Sequence, residues 1–153
     1  MKKILSTCIL VASTLLATIL LASCQPKNRI IEKPFYLTRN TPSIEVSRIS
    51  LTDTITVLDM IVSGMPDTWI GIAPTSTLTD NQKNVYTILS GKGIKLGEGF
   101  VIPESGKGTF QLLFPPLNPD AQWIDFSEGP EVKDGFMIEG IHLKDMQPLE
   151  SLL

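Results

Sequence analysis

The sequence predicts an all-β domain, an antiparallel β-sandwich, behind an N-terminal segment of a different kind. Three observations predict this fold. From Ser43 onward, short runs are rich in β-branched and aromatic residues. Glycine, proline, asparagine and aspartate interrupt these runs at short intervals. Apolar residues nowhere keep the spacing of an amphipathic helix over a sustained length.

The first 23 residues have the layout of a secretion signal. Lys2 and Lys3 give a basic start, residues 4–21 form an uncharged apolar run, and small Ala22 and Ser23 suit a signal peptidase. The alternative is an uncleaved transmembrane helix, because such a run would span about 27 Å as a helix, nearly a bilayer core. We predict cleavage, because the basic start, the apolar run and the small residues after it together match a targeting signal, and such a signal has to be recognised before a membrane span is assigned.

Residues 21–24, Leu-Ala-Ser-Cys, resemble the lipobox of bacterial lipoproteins. The resemblance implies cleavage before Cys24, a diacylglycerol on its thiol and an acylated new amino terminus. Two or three acyl chains would anchor the protein stably in a membrane, since each buried CH₂ group contributes about 0.8 kcal/mol of binding free energy. We therefore expect a lipoprotein signal peptide over residues 1–23 and a lipidated Cys24 followed by a tether to residue 42.

The same resemblance implies a place in the cell envelope. Gln25 is not the aspartate that can signal retention in the inner membrane, and residues 25–29 lack an acidic cluster of the kind linked to surface export. We therefore expect a lipid anchor in the outer membrane, with the domain facing the periplasm.

Charge and cysteine content restrict the mature chain further. Without Lys2 and Lys3 it has eleven basic and sixteen acidic residues, a net charge of −5, so a nucleic-acid partner is unsupported. Cys8 lies in the removed segment and Cys24 is expected to carry lipid, which leaves no thiol for a disulfide. The domain must be stabilised by packing alone.

The first two strand patterns carry specific predictions. Residues 43–52 place Ile44 and Val46 on one face but Ile49 and Leu51 on the other parity, which predicts a bulge or a change of face near Ser47 and Arg48. Residues 55–64 are apolar on both faces, which predicts a central strand. Asp59 interrupts this run, and we expect it near an edge or paired with a donor, because an unpaired buried carboxylate is costly.

The remaining patterns complete the sandwich. Residues 68–73 predict a third strand, residues 74–84 a loop of turn formers, and Ser90–Gly93 a turn. The other predicted strands lie within residues 85–89, 94–102, 109–114, 122–126 and 135–143. Eight or nine strands in about 100 residues predict an immunoglobulin-like sandwich over residues 43–143, followed by a tail over 144–153.

Two Gly-Lys-Gly sites, at Lys92 and Lys107, invite comparison with a phosphate-binding loop. Such a loop needs a serine or threonine directly after the lysine and a helix behind it, whereas Gly93 and Gly108 occupy that position and strand patterns follow. We predict hairpin turns at both sites and no nucleotide cofactor.

No catalytic or metal site can be assembled from the other polar residues. His142 is the only histidine, and we expect it to be structural. The acidic residues lack the spacing of a calcium loop, and we expect a solvated face; they include Asp53, Asp59, Asp120, Asp125, Glu128, Glu131 and Asp134. The large aromatic residues are expected in the core rather than on a sugar-binding platform: Trp69, Phe110, Phe114, Trp123, Phe126 and Phe136.

About residues 30–143 resemble the N-terminal β domain that precedes the thioredoxin domain in TlpA-like bacterial lipoproteins. Four short motifs carry the resemblance: Thr52-Asp53-Thr54, Pro103-Glu104-Ser105-Gly106, Phe114-Pro115-Pro116-Leu117 and Asp125-Phe126-x-Glu128-Gly129. The resemblance implies a docking or spacing module in a redox-handling family. The thiol chemistry of that family needs two thiols in reach of one another, and no Cys-x-x-Cys is present, so no catalytic residue carries over.

We therefore expect a lipid-anchored binding or scaffolding module that is not an enzyme, with an envelope protein, such as a thioredoxin-like one, as its partner. Two alternatives stay open. The chain could be the detached or truncated N-terminal half of a thioredoxin-like oxidoreductase, or a glycan-binding module on the cell surface.

Overall fold

The structure, a computed structural model, describes residues 28–144, so the predicted signal peptide, Cys24 and most of the tail lie outside the described residues. Within this range no helix is long and apolar enough to cross a membrane. The described strands are β1 (Arg29–Glu32), β2 (Thr38–Arg39), β3 (Ile44–Leu51), β4 (Thr56–Ser63), β5 (Trp69–Gly71), β6 (Thr77–Asp80), β7 (Val85–Thr87), β8 (Ser90–Lys92), β9 (Gly99–Val101), β10 (Lys107–Phe114), β11 (Trp123–Ser127) and β12 (Met137–His142).

Two five-stranded antiparallel sheets form the sandwich. Sheet A has the order β1-β3-β4-β10-β8, and sheet B has the order β2-β12-β11-β6-β7. The neighbours β3-β4-β10-β8 follow the A-B-E-D order of an immunoglobulin domain, and β12-β11-β6-β7 follow G-F-C with one further strand beside C. The predicted immunoglobulin-like antiparallel sandwich is therefore confirmed.

The core lies between the inner faces of the two sheets. Residues alternate between buried and half-exposed along β4 and along β10, so that Phe110, Leu112 and Phe114 all point inward, as predicted. Phe114 of sheet A meets Phe126 of sheet B edge to face, with ring centroids 6.5 Å apart. This aromatic pair joins the two layers without a disulfide.

Three predictions about β3 and β4 are confirmed. The register between these strands shifts between Val46 and Arg48, where the bulge was expected. β4 pairs with both β3 and β10 and is central in sheet A. Asp59 on its outer face accepts hydrogen bonds from Arg48 Nε at 2.5 Å and from Gln111 Nε2 at 2.6 Å, so its carboxylate is paired.

The prediction of a loop over residues 74–84 is wrong, because β6 lies inside it. Leu78 is fully buried, while β7 and β11 pair with β6 on its two sides. Residues 90–93 likewise contain β8, which pairs with β10. Both segments are poor in apolar residues. They form strands because they pair with β11 and β10, which are distant in sequence.

The predicted boundary at residue 43 is also wrong, since two strands lie in the segment assigned to the tether. β1 pairs with β3 over its whole length and buries Ile31, and β2 pairs with β12. The first described strand therefore begins at Arg29, well before residue 43. β1 was missed because four residues with one inward side chain give no recognisable period.

The two ends of the sandwich carry different features. β1 begins at Arg29 opposite Leu51, and Leu143, just after β12, borders the same cavity as Arg29. The described chain therefore both starts and finishes at one end, which we call the base. The opposite end, which we call the tip, carries the connections β4–β6, β8–β10 and β11–β12.

Thr56 offers a direct test of the packing. Its Oγ1 is buried and has no hydrogen-bond partner among the described residues. Thr56→Val keeps the shape and removes an unsatisfied polar atom, so we expect the free energy of unfolding to rise by about 1 kcal/mol. Urea denaturation measures the change. Thr109→Val, at an exposed position of β10, is the control for β propensity, and an equal gain there would contradict the explanation.

Candidate binding site

A two-stranded ribbon projects at the tip. β5 and β9 pair antiparallel, with Trp69 opposite Val101, Ile70 opposite Phe100 and Gly71 opposite Gly99. The ribbon is built from the β4–β6 and β8–β10 connections, and its strands belong to neither five-stranded sheet. Loops at one end of such a sandwich are where binding residues are commonly placed.

The two faces of the ribbon differ in chemistry. Phe100 points inward, contacts Phe110 at a centroid distance of 5.4 Å and lies so close to Gly108 that a Cβ there would come within 2.5 Å of its ring. On the other face the cross-strand partners Trp69 and Val101 are 70% and 59% exposed, and Met65, in the turn before β5, is 73% exposed. We call these three residues the ribbon face, an apolar surface open to solvent.

The Trp69 indole lies over Gly99. A Cβ added at Gly99 would meet the ring atoms of Trp69 at 3.4 to 3.6 Å, which is ordinary van der Waals contact. The indole therefore contacts the glycine backbone of β9 through part of its ring. The side chain is nevertheless 70% exposed, so it presents apolar area to solvent.

Glu128 holds the connections at the tip together. Its side chain is buried, with Oε1 accepting a hydrogen bond from the Ala73 amide and Oε2 from the Phe136 amide, both at 2.6 Å. Thr75 Oγ1 donates to its backbone oxygen at 3.0 Å. One carboxylate thus joins the end of β11 to the segment that leaves the ribbon and to the β11–β12 connection.

A second feature, a cavity of about 930 Å³, lies at the base. Its volume falls in the range of roughly 300–1,000 Å³ that is usual for small-ligand pockets. The polar residues at its wall include Arg29, Thr52, Asn84 and Asn118. The apolar and aromatic wall is formed by Leu51, Tyr86, Pro116, Leu117, Pro119 and Leu143.

A buried carboxylate stabilises one wall of this cavity. Asp80 is 2% exposed and accepts hydrogen bonds from the amides of Gln82 and Asn84, from Asn84 Nδ2 and from the Tyr86 hydroxyl, all within 3.0 Å. The Tyr86 oxygen in turn accepts the amide hydrogen of Asn118 at 3.0 Å. The network connects the β6–β7 turn to the β10–β11 connection and orders the cavity wall.

The network shifts two pKa values in opposite directions. Burial acts to raise the pKa of Asp80, but the hydrogen bonds from Asn84, Tyr86 and Gln82 together outweigh it and hold that pKa below its ordinary value. Burial raises the pKa of Tyr86, the Asn118 amide opposes this rise, and the Asp80 carboxylate adds to it. At neutral pH the pair is therefore an ionised carboxylate and a neutral phenol.

The structure places glycines in tight turns beside both Gly-Lys-Gly lysines. Gly106 has φ +71° and donates its amide to Pro103 at 2.9 Å, directly before β10, as the predicted turn requires. At the other site the turn begins at Gly93, with φ +81°, because Ser90 to Lys92 form β8.

The other predicted polar residues are dispersed. His142 ends β12 and meets the Phe35 ring edge to face at 5.3 Å. Asp125 accepts the Gly140 amide at 2.7 Å within sheet B, and Asp134 lies in the β11–β12 connection at the tip. Residues 28–144 contain no group of three or more histidine, cysteine, aspartate or glutamate side chains that could hold a metal ion.

The expectation of buried tryptophans is wrong, although Phe110, Phe114 and Phe126 are core residues as expected. Trp69 is exposed on the ribbon face, and Trp123 is 41% exposed on the outer face of sheet B. Asp80 was not singled out from the sequence. Its Asp-x-x-x-Asn spacing is common in turns and gives no sign of burial.

Cys24, the predicted lipidation site, lies outside the described residues. Comparison with protein-family models, with curated proteins and with solved structures found no match for this chain.

Proposed function

We propose that this protein is a lipid-anchored binding or scaffolding module of the cell envelope, which acts without catalysis and presents the ribbon face to a protein partner. The ribbon face (Met65, Trp69 and Val101) is the observation that carries the proposal. Exposed large apolar side chains that lie together are typical of interaction surfaces, and tryptophan is enriched among residues that dominate binding energy.

The path of the chain supports this assignment. β3 starts at the tip and ends at the base, where Leu51 lies opposite Arg29. If β3 were the first strand, the segment that leads to the lipid would join the domain beside the ribbon. β1 precedes it and runs antiparallel to it, which returns the chain to the base at Arg29. A lipid on Cys24 would therefore hold the base toward the membrane and leave the ribbon face pointing away.

The predicted resemblance to the N-terminal domain of TlpA-like lipoproteins fits the same use. In that family the domain stands in front of a thioredoxin fold, and an envelope protein with such a fold is the partner that the resemblance implies. The resemblance and the partner stay predictions. A Trp-Cys-x-x-Cys segment in the adjacent reading frame would favour the alternative of a detached oxidoreductase half.

Site-specific photo-crosslinking in cells tests the proposal. A benzoylphenylalanine at position 101 should yield a discrete protein adduct that is lost when Trp69→Ala is added. The same group at position 89, also exposed but away from the ribbon, is the matched control. Equal adducts from both positions, or an adduct at 101 that survives Trp69→Ala, would contradict the proposal. An adduct with glycan would favour the glycan-binding alternative.

A further inference from the structure

A cluster of exposed aromatic side chains lies near the base on the outer face of sheet B. Trp123 on β11 is the direct cross-strand partner of His142 on β12, so the two side chains are neighbours on one face. The Phe35 ring contacts His142 on its other side at a centroid distance of 5.3 Å. Phe35 is 46% exposed and Trp123 41%. We call Phe35, Trp123 and His142 the aromatic band.

The outer face of sheet B changes character along its length. The aromatic band occupies the part nearest the base, where β11 begins and β12 ends. Farther toward the tip the half-exposed side chains of the same face are polar, and they are Thr77, Thr79, Asp125 and Ser127. Met137, which lies opposite Ser127 at the tip end of this face, is also 39% exposed. The aromatic side chains of this face are nevertheless concentrated beside the end at which the described chain begins.

The short segment between Cys24 and β1 limits how far the domain can lie from a membrane that holds a lipid on Cys24. Cys24 precedes Arg29 by five residues. Five residues reach at most about 18 Å when fully extended. Arg29 borders a groove at the base together with Gln122, the residue before Trp123. A lipid on Cys24 therefore keeps the aromatic band within reach of the bilayer surface.

We propose that the anchored domain docks on the bilayer that holds it, with the aromatic band in the headgroup region. The inference depends on the lipidation of Cys24 in the proposed function. Tryptophan is favoured at membrane interfaces because its ring is apolar while its N–H can reach polar surroundings, and phenylalanine adds apolar area that can insert there. Charge is not the driving force, since Arg29 and Lys144 at the base are accompanied by acidic Asp120.

The two tryptophans of the chain make a paired experiment possible, because they lie at opposite ends. β3 and its neighbours separate the base from the tip by about 26 Å, from eight residues at roughly 3.3 Å each. Trp69→Phe leaves Trp123 as the only fluorophore, and Trp123→Phe leaves Trp69. The lipidated full-length protein is placed in phosphatidylethanolamine–phosphatidylglycerol vesicles that contain a headgroup-labelled quencher.

We expect the quencher to suppress Trp123 emission several-fold more strongly than Trp69 emission. Equal quenching of the two variants, or stronger quenching of Trp69, would overturn the docking. Cys24→Ser separates this failure from failure of the anchor. If the wild-type protein carries no lipid by mass spectrometry and Cys24→Ser remains equally membrane-bound, the proposed anchor is wrong. If lipid is present and Trp123 is unquenched, the anchor stands and the docking is wrong.

Discussion

Replacement of Asp80 by alanine is expected to lower the free energy of unfolding by about 3 kcal/mol at neutral pH, because several donors lose the buried carboxylate that accepts their hydrogen bonds. Asp80 is 2% exposed and receives hydrogen bonds from Gln82, Asn84 and Tyr86. The loss should also release Asn118, whose amide donates to the Tyr86 oxygen. Urea denaturation followed by circular dichroism measures the change.

The effect should depend on pH in a defined direction. The pKa of Asp80 is lowered in the folded protein, so its ionised form contributes stability above the unfolded-state pKa of about 3.9. That contribution is lost as pH falls through the lower, folded-state pKa. The difference between wild type and Asp80→Ala should therefore be constant from pH 7 to about 5 and shrink below about pH 4.

Asp120→Ala is the control, since Asp120 is exposed on the neighbouring β10–β11 connection. We expect it to change stability by less than about 0.5 kcal/mol. Should Asp80→Ala match Asp120→Ala at neutral pH, the network would have no stabilising role.

Glu128→Ala should have an effect of similar size at the tip. The buried carboxylate accepts the Ala73 and Phe136 amides, and removing it leaves both without an acceptor. We expect a loss of about 2–4 kcal/mol in the free energy of unfolding. Hydrogen exchange at the amides of Ala73 and Phe136 should accelerate more than exchange at β4, because the connections loosen before the sheets do.

Glu131→Ala is the matched control for this experiment. Glu131 carries the same charge in the same β11–β12 connection, but it is exposed. A pure charge effect would alter both variants equally. If Glu131→Ala destabilised the protein as much as Glu128→Ala, the proposed role of the two hydrogen bonds would be wrong. Glu128→Ala should also reduce crosslinking from position 101, because the ribbon loses its support.

The structure contradicts the sequence-based prediction most clearly at β6 and at Trp69. In β6 only Leu78 is both apolar and buried, and Asp80 is of a type common in turns, so the segment has no apolar alternation. The strand exists because β7 and β11 pair with its two edges. Trp69 was expected in the core because of its size, yet the inward face of its ribbon is already occupied by Phe100.

The candidate surfaces were predictable only in part. The paired state of Asp59 followed from the cost of burying a charge, and the turn at Gly106 followed from its chemistry. The ribbon face could not be predicted, because Trp69 and Val101 are separated by 31 intervening residues and become neighbours only when β5 pairs with β9. The Asp80 network has the same origin, since Asn118 comes from another connection.

The sequence by itself determined the β class, the central position of β4, the inward face of β10 and the bulge in β3, because these depend on the pattern of consecutive side chains. Only the tertiary structure decided which strands are neighbours, that Arg29 to Glu32 form a strand of sheet A, and that the two tryptophans lie exposed at opposite ends. The physical reason is that burial depends on partners distant along the chain, whereas periodicity is a local property.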